Sequence, residues 1–337
     1  MPGPRSLSIF SCCIACVAAV IILLTAHPSY GDSFLLFKEA QLVFGADNIL
    51  TGPIFYSQDQ DDVMQKPSIG MDYIYRFSDD AGDKAVFALQ GRLAWNESYD
   101  RRKIEPQLYN AYFKIKNQMA DIWLGHSRPA YGLSSYFDSH ALLLPTLGMM
   151  DLGFDRDWGI GLARDTDWGD IALSATTGSG MPLYAGGNGL FSGRISYGVL
   201  NRDNFNLGLS KASGKLLTAM GYEYLSGSIY DIDYTGIDAA LLYDNYELRG
   251  ERTWGGKRGQ SYNSYFVRAG IKLLEEEDLK IELQLVGMDQ GNQSEQVSAA
   301  CITYILDENL AFRSMYQHSR LMDDNRLIFQ CYYYSPW

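Results

Sequence analysis

The chain has 337 residues, with 40 acidic and 28 basic side chains and a formal net charge of −12 at pH 7. This acidic balance argues against a nucleic-acid partner and against a polybasic protein that binds membrane surfaces. Tyrosine (24) and glycine (33) are frequent, proline (10) is rare and aromatic residues reach 13%, a composition that suits β-strands with aromatic girdles.

The first 31 residues have the pattern of a secretory signal peptide. Arg5 is the only charged residue before Asp32, an apolar run covers residues 9–24, and the small-x-small triplet 29–31 follows. We expect cleavage after residue 31, which leaves residues 32–337 with a net charge of −13 because the one positive charge of Arg5 is lost. A membrane-spanning helix is the alternative, but the run is shorter than the roughly 20 residues that a span needs.

From about residue 69 to residue 334, apolar and polar residues alternate in successive segments separated by turn residues. In segment 87–95, the odd positions carry Phe, Leu, Gly, Leu and Trp, whereas the even positions carry Ala, Gln, Arg and Ala. Such alternation places apolar side chains on one face of a strand and polar side chains on the other. Its length and repetition favour a closed barrel with lipid outside and water inside over a soluble sandwich.

The pattern divides the chain into 17 strand-like segments, although single-chain bacterial barrels have an even number of strands. The short connections 78–83, 117–118, 165–167, 274–278 and 307–309 are typical of periplasmic turns. Counting from both ends, the parity conflicts between residues 201 and 233, a region that the pattern divides into strands 204–210 and 215–225. We therefore predict an all-β, transmembrane antiparallel β-barrel of 16 strands, with 14 or 18 as alternatives.

The longest strand connections are residues 46–67 and 127–157. A gap of about thirty residues inside a compact domain is uncommon unless the segment has a function. The second connection is also too apolar for a loop in water, so we predict that it folds into the lumen as a constriction loop. The residues proposed for the constriction are Tyr136, Phe137, Asp138 and His140, with the leucines 142–144 against the inner wall. An unrecognised extra pair of strands is the alternative.

Alternation also predicts which charged side chains line the pore. The candidates are Arg92, Lys114, Lys116, Glu247, Arg249, Glu251, Arg268, Lys272, Glu282 and Arg313. In segment 109–116, the same rule places Tyr109 toward lipid with the other odd positions. Both signs of charge are present, so the lumen either holds a transverse field that aligns dipolar solutes or contains opposed charges that pair across strands.

Residues 108–135 and 154–180 resemble the porin family that includes the phosphate-selective porins of Gram-negative outer membranes. The matching positions are Leu124, Gly125, Pro129, Gly132, Asp157, Gly159 and the stretch 178–180. The resemblance implies a 16-stranded pore narrowed by the long loop. The anion-selective members line that pore with arginine and lysine, and no equivalent run maps onto this chain, so phosphate selectivity is not implied.

The C-terminal segment ends in Trp337, with Tyr333 and Phe329 at alternating positions before it. This arrangement resembles the signal that the outer-membrane insertion machinery reads. Two cysteines, Cys301 and Cys331, remain after cleavage, in segments two strands apart. Because two strand spacings exceed disulfide reach, we expect two free, buried thiols.

Catalytic and metal-binding patterns are weak. Only His126, His140 and His318 remain in the mature chain, and no G-x-S-x-G elbow occurs. We therefore expect no enzyme activity, no cofactor and no metal site.

The sequence as a whole favours an outer-membrane porin, a water-filled channel for passive diffusion of small hydrophilic solutes or ions. A structural or partner-binding barrel, such as a sheath for an electron-transfer protein, is the alternative, and an outer-membrane lipid hydrolase is less well supported. The expected partners are outer-membrane lipids, small solutes and the insertion machinery. A monomer and a homotrimer both stay open.

Overall fold

The computed structural model describes residues 33–47, 54–55, 65–80, 82–95, 104–133, 143–150, 152–200, 202–217, 229–274, 277–321 and 323–337. The predicted signal peptide lies outside these residues. The strands are β1 Ser33–Asp47, β2 Ile54–Phe55, β3 Ser68–Asp79, β4 Gly82–Trp95, β5 Ile104–Ile115, β6 Asp121–Ser127, β7 Asp157–Asp165, β8 Gly169–Thr176, β9 Gly189–Tyr197, β10 Phe205–Leu217, β11 Ile229–Tyr243, β12 Tyr246–Lys257, β13 Gln260–Leu273, β14 Leu279–Gln290, β15 Gln293–Asp307, β16 Leu310–Ser319 and β17 Asp324–Pro336.

The sheet closes on itself into a 16-strand antiparallel barrel. β1 pairs with β3 on one side and with β17 on the other, and every strand from β3 to β17 pairs with its sequence neighbours. β2 contributes two residues, which pair with Phe44 and Gly45 of β1 and add no further strand to the wall. Closure removes the exposed strand edges that an open sheet would leave. The predicted 16-strand fold class is therefore confirmed.

The two ends of the barrel differ. Both described termini and the short connections lie at one end, here called the turn end, and the longer connections lie at the opposite loop end. All five connections that the sequence predicted as short turns lie at the turn end.

The strand division near residues 204–225 was wrong. Phe205–Leu217 is one continuous strand, paired with β9 on one side and β11 on the other. The small residues 212–214 weaken the alternation there, and Gly214 has a φ of +156° while the ladder passes through it unbroken. The parity conflict was correctly placed, and merging the two segments gives the even count.

The outer face of the barrel is apolar around its whole circumference. Each of the 16 strands contributes at least one exposed large apolar residue, for example Leu42, Ile69, Leu93, Phe113, Leu124, Ile160, Leu173, Phe191, Leu209, Ile237, Leu248, Val267, Leu283, Ile302, Phe312 and Leu327. Exposed aromatic residues also ring the turn end, among them Trp168, Tyr197, Tyr243, Tyr246, Tyr304, Tyr333 and Trp337. This is the pattern of a surface that faces lipid, with rings at the level of the headgroups.

Strand β5 departs from simple alternation because it contains a β-bulge. The pairing with β4 shifts between Gln90–Asn110 and Gly91–Leu108, so Tyr109 is an extra residue. The side chain of Tyr109 is consequently buried inside the barrel, and its predicted lipid-facing position was wrong. A bulge changes the inside–outside phase of a strand, which regular alternation does not anticipate.

The two cysteines are free, as predicted, but only Cys301 is buried, so the predicted burial of Cys331 was wrong. Cys301 on β15 packs with inward-facing Val43 and Met315, whereas Cys331 on β17 is half-buried and lies across from Phe312. The intervening strand and the opposite orientations keep the two thiols apart.

The only described helix is a single turn, α1, over Leu147–Met150. Among the described residues, no helix is long and apolar enough to cross a membrane.

Candidate functional site

The connection between β6 and β7, residues 128–156, is here called the long loop, and its first limb lies inside the barrel. Its backbone donates hydrogen bonds to inward-facing side chains: Ala130 N to Ser174 Oγ at 3.0 Å and Gly132 N to Ser210 Oγ at 3.0 Å. Tyr131 Oη lies 3.0 Å from Thr253 Oγ1, another inward side chain. Three strands, β8, β10 and β12, therefore hold this limb.

Glu251 of β12 fixes the end of that limb. Leu133 N donates to Glu251 Oε2 at 2.9 Å. Gly132 has a φ of +54°, and a Cβ there would lie 2.2 Å from the Glu251 carboxylate. Glycine is needed here both for the backbone conformation and for the close approach.

The second limb is held by β13 and β14. Arg268 Nη2 donates to Leu144 O at 3.3 Å and Pro145 O at 3.5 Å, and Gln284 Nε2 donates to Pro145 O at 2.7 Å. Arg268 also donates to Gln284 Oε1 at 2.7 Å, so the two wall side chains present a joint donor pair to the loop carbonyls.

Apolar packing completes the attachment. The inward-facing residues of β1 and β11–β17 that contact or cluster with the long loop, here called the apolar wall, are Val43, Ala240, Phe266, Val286, Val297, Ala299, Cys301, Met315 and Ile328. The loop residues in the same clusters are Leu133, Leu143, Leu144 and Leu147. A third cluster joins Tyr131, Leu152 and Phe154 of the loop to Leu190, Ala212, Leu216, Ile232, Tyr234 and Tyr262. The loop is thus part of the core inside the barrel.

These contacts favour the loop interpretation for the described parts of the 127–157 segment. Its described parts carry no strand between Ser127 and Asp157, and they lie in the lumen. Leu143 and Leu144 rest on the inner wall, as predicted. The proposed constriction residues Tyr136, Phe137, Asp138 and His140 lie outside the described residues.

The opposite side of the lumen is charged. Lys66 Nζ lies 2.7 Å from Glu105 Oε2, and Arg92 Nη1 lies 3.1 Å from Glu39 Oε1. Gln107 joins the pairs, because it accepts from Arg92 Nε at 2.8 Å and donates to Glu105 at 3.2 Å. All four charged side chains are at most 3% exposed, and charges so buried need partners of this kind. These five residues are here called the polar wall.

The network continues around the barrel to β16. Gln41 Nε2 donates to Lys66 O at 2.7 Å, Gln330 Nε2 donates to Gln41 Oε1 at 2.7 Å, and Arg313 Nη1 donates to Gln330 Oε1 at 2.9 Å. Arg313 therefore ends a hydrogen-bonded belt that starts at the polar wall.

Tyr109 brings two guanidinium groups together. Arg92 Cζ lies 4.5 Å and Arg156 Cζ 4.8 Å from the centre of the tyrosine ring, and Arg92 also donates to Tyr109 Oη. Arg156, from the end of the long loop, forms an ion pair with Asp155. The bulge therefore places a cation–π contact between the polar wall and the loop.

A second charged group lies on β12–β14, nearer the turn end. Glu247 Oε1 lies 2.7 Å from Arg249 Nε, and Lys280 Nζ lies 3.3 Å from Glu247 Oε2 and 2.9 Å from Glu282 Oε1. Three predicted pore-lining residues, Glu247, Arg249 and Glu282, therefore form one network with Lys280, which was not predicted, and both signs alternate in it. Arg268 lies beside this network.

The remaining predicted residues lie closer to the mouth of the turn end. Lys114 Nζ is 3.7 Å from Asp121 Oδ2, Lys116 Nζ is 3.1 Å from Asp83 Oδ2, and Lys272 pairs with Glu277 in the adjoining turn. All three lysines are at least one-third exposed.

Sequence reasoning missed a buried network centred on Arg194 of β9. Its guanidinium lies 3.1 Å from Asp170 Oδ1 and 2.6 Å from Asp238 Oδ1 and also donates to Asn206. The signal was available, because each of the four occupies the inward phase of its strand, but only the pairing register brings them together.

The residues that carried the family resemblance have physical roles here. Asp157, fully buried, accepts hydrogen bonds from Thr177 Oγ1 at 2.8 Å, from Gly180 N at 3.1 Å and from the backbone of Gly178 and Ser179. It thereby orders the β8–β9 connection. Met181 O in that connection accepts from Trp158 Nε1 at 2.8 Å.

Gly125, another position of the family resemblance, also has a structural role. It has a φ of +131°, and a Cβ there would lie 2.2 Å from Ala111 O on the neighbouring strand. The backbone can therefore approach β5 closely just before β6 ends at Ser127 and the chain turns into the lumen.

No protein-family model and no curated protein sequence matches the chain. Solved structures do. An anion-selective porin from Comamonas acidovorans aligns with a TM-score of 0.63 at 13% identity, over 91% of this chain and 100% of that one. The in-vitro folded trimer form of OmpT, an outer membrane protein of Vibrio cholerae, aligns with 0.61 at 9% identity, over 90% and 100%. The outer membrane channel DcaP of Acinetobacter baumannii aligns with 0.58 at 11% identity, over 91% and 99%. At these identities the similarity establishes the fold, which this chain shares with outer-membrane porins and channels.

Proposed function

We propose that the protein is an outer-membrane channel for passive diffusion of small hydrophilic solutes or ions. The observation that carries the proposal is the pairing of an apolar outer surface with a charged interior in a closed 16-strand barrel narrowed by an internal loop. An apolar outside fits lipid, and a charged inside fits water and solutes.

The proposed route for solutes lies on the β3–β6 side of the barrel, next to the polar wall, whose own ion pairs are enclosed. The long loop is packed against the apolar wall, so it closes that side. Inward-facing Asp72, Tyr112, Lys114 and Trp123, on β3–β6, are half-buried and form a vestibule between the turn end and the polar wall. With the turn end in the periplasm, this vestibule opens toward the periplasm.

The interior charges favour weak selectivity. In the polar wall two cations, Lys66 and Arg92, face two anions, Glu39 and Glu105. Paired charges of opposite sign leave a small net field, so both anions and cations of small size should pass. The finer kinship with phosphate-selective porins rests on the glycine and aspartate positions of the resemblance, whose contacts fix the backbone at β6, in the long loop and in the β8–β9 connection.

Planar-bilayer recording tests the channel. Purified mature protein, folded in detergent, should give discrete conductance steps, with a reversal potential close to zero in a potassium chloride gradient. A folded preparation that gives no steps would contradict the proposal. A matched preparation that has been heat-unfolded in detergent controls for leakage caused by detergent.

The remaining expectations accompany this proposal. Residues 1–31 would direct export and be removed, and the C-terminal strand ending at Trp337 would be read by the insertion machinery. Trimeric assembly is supported by the trimer form of the structurally similar OmpT. Size determination in a mild detergent, compared with the heat-dissociated protein, tests the assembly.

Catalysis has less support than conduction. His126 is buried, and neither of its ring nitrogens hydrogen-bonds a described nucleophile or carboxylate; His318 lies 3.1 Å from Asn325 Oδ1. A sheath for a protein partner would need a wide bore, whereas the long loop fills the apolar side here. We therefore propose a channel that is not an enzyme. Hydrolysis of phospholipids by the purified protein would contradict this proposal.

A further inference from the structure

The described residues of the connection between β9 and β10, 198–200 and 202–204, are here called the inner turn. Seven residues separate Tyr197 from Phe205, while the other connections at the turn end contain two to five residues. Val199 and Leu200 in the inner turn are only 8% and 9% exposed, whereas Arg202 and Asp203 point into solvent. A turn on the rim of a barrel has no reason to bury two apolar side chains unless it folds against another surface.

The surface against which it folds lies inside the bore. Leu200 belongs to the same apolar cluster as Leu133 and Leu147 of the long loop and Phe266 of the apolar wall. The long loop enters from the loop end and the inner turn enters from the turn end, and both contribute to this one cluster. The lumen is therefore narrowed from both mouths.

The inner turn is preorganised. Asp203 Oδ2 accepts from Val199 N at 2.7 Å, and Val199 O accepts from Arg202 N at 3.0 Å and Asp203 N at 2.8 Å. Gly198, with a φ of +76°, starts the bend, and its N–H donates to Trp168 O at 2.8 Å.

The inner turn is also tied to its surroundings. Arg202 Nη2 donates to Thr166 O at 3.2 Å in the neighbouring turn, and Ser196 Oγ donates to Gly198 O at 2.8 Å. These bonds hold Leu200 in place through both flanking elements.

We propose that the inner turn is a second constriction element, in which Leu200 narrows the periplasmic exit of the bore and limits the size of the solutes that pass. This inference rests on the proposed channel function. Leu200 extends the apolar cluster of the long loop toward the exit at the turn end, where the half-buried Asp72, Tyr112 and Lys114 line the vestibule. An apolar side chain at a narrow point also raises the barrier to wetting and so to ion passage.

Two substitutions of opposite size at one position test the inference. Leu200→Ala should widen the exit and Leu200→Trp should narrow it. The measurements are unitary conductance in planar bilayers and the largest polyethylene glycol that enters the pore from the turn-end side. Leu274→Ala is the matched control, because Leu274 is an exposed leucine, 61% accessible, in another turn at the same end. Far-UV circular dichroism and the heat-induced mobility shift on gels verify folding of each variant.

The expected result is a rise in conductance of about twofold and a larger polymer cut-off for Leu200→Ala, a fall for Leu200→Trp, and no change for Leu274→Ala. If the wild type conducts but all three variants match it, the inner turn is no constriction and the channel proposal stands. If the wild type is silent and Leu200→Ala conducts, the proposal that the wild-type protein is a passive diffusion channel fails, and the inner turn is shown to be the element that closes the bore. If no variant conducts, both proposals fail.

Discussion

The apolar wall and the polar wall of the lumen are stabilised by different interactions. On the apolar wall, leucines of the long loop pack against Phe266, Val286 and Ile328, and each buried leucine contributes about 1.5–3 kcal/mol through loss of water contact. On the polar wall, buried ion pairs such as Arg92–Glu39 offset desolvation with pairing and add little net stability. The apolar side therefore determines whether the loop stays in the lumen. In the proposed channel, the polar side is the part that would set ion selectivity.

A charge placed between the long loop and the apolar wall should have the largest effect on loop position and on conductance. Leu147 is 0% exposed, so Leu147→Asp places a carboxylate in a buried apolar site, which costs several kcal/mol of free energy. This cost exceeds the free energy that the buried leucine contributes to holding the loop there. The loop should leave the wall and conductance should increase severalfold. Cys301, now covered, should react with a water-soluble maleimide in a Cys331→Ser background.

The control for that experiment is Leu183→Asp, because Leu183 is 60% exposed in the β8–β9 connection. It should leave conductance and labelling unchanged. Unaltered Cys301 protection in Leu147→Asp would show that the loop does not depend on its leucines.

The polar side should affect selectivity more than loop position. Arg92→Gln removes one cation from a wall that also holds the anions Glu39 and Glu105, so the reversal potential should move toward cation preference. It should also destabilise the protein by about 3–5 kcal/mol, as loss of one partner of a buried pair does. The readouts are reversal potential in a salt gradient and the urea midpoint.

The double variant Arg92→Gln, Glu39→Gln sharpens the same comparison. It removes both charges, so reversal potential should return toward the wild-type value. Lys84→Gln, at a site 55% exposed near the turn end, is the surface control. Equal shifts for Lys84→Gln and Arg92→Gln would mean that the overall charge, and not the polar wall, sets selectivity.

Loss of Asp157 should have a smaller and local effect. Asp157→Ala leaves the N–H groups of residues 178–180 without their buried acceptor, at about 1–3 kcal/mol. The thermal midpoint should fall by several degrees, with Asp157→Asn intermediate because its Oδ1 still accepts. Asp165→Ala, at the exposed end of the same strand, should not change the midpoint. A drop of equal size for Asp165→Ala would argue against the anchoring role.

The smallest expected effect is a response to acid at the inner turn. The Val199 N–H, and secondarily Arg202, holds the pKa of Asp203 below its ordinary value of 3.8. Asp165 and Asp167 are the other charges near Arg202. The hydrogen bonds that lower the pKa of Asp203 in the folded protein stabilise the turn at pH values above 3.8, and this stabilisation is lost as the pH falls through the lowered pKa. The turn should therefore stay closed at neutral pH and loosen only below pH 3.8.

Conductance measured against pH tests this response. The wild type should show a rise confined to strongly acidic pH, and Asp203→Asn should lack that component because its amide keeps the hydrogen bond without titrating. Identical profiles for the two proteins would show that Asp203 does not control the turn.

Much of the wall could be predicted from sequence because alternation is a local signal. The inward placement of Arg92, Glu247 and Arg268 follows from counting residues along one strand. The bulge at Tyr109 and the continuity of β10 could not be found in this way, since both depend on the register with a neighbouring strand.

The interior contents were predictable only in outline. Length and apolar character indicated a loop folded inward, but the partners of the loop, such as Ser174, Glu251 and Gln284, come from strands far apart in sequence. The burial of Leu200 carries no sequence signal, because a leucine in a turn usually has no special role.

The extra residue in β5 lets that strand tolerate a change of length at one point, which its composition does not reveal. Deleting Tyr109 would remove the bulge and leave Leu108 opposite Gly91 and Gln107 opposite Arg92, so Glu105 and Gln107 would stay inside and Pro106 outside. That single-residue deletion should therefore preserve the barrel wall and remove only the ring that lies between Arg92 and Arg156, and homologous chains should tolerate one residue fewer at this point.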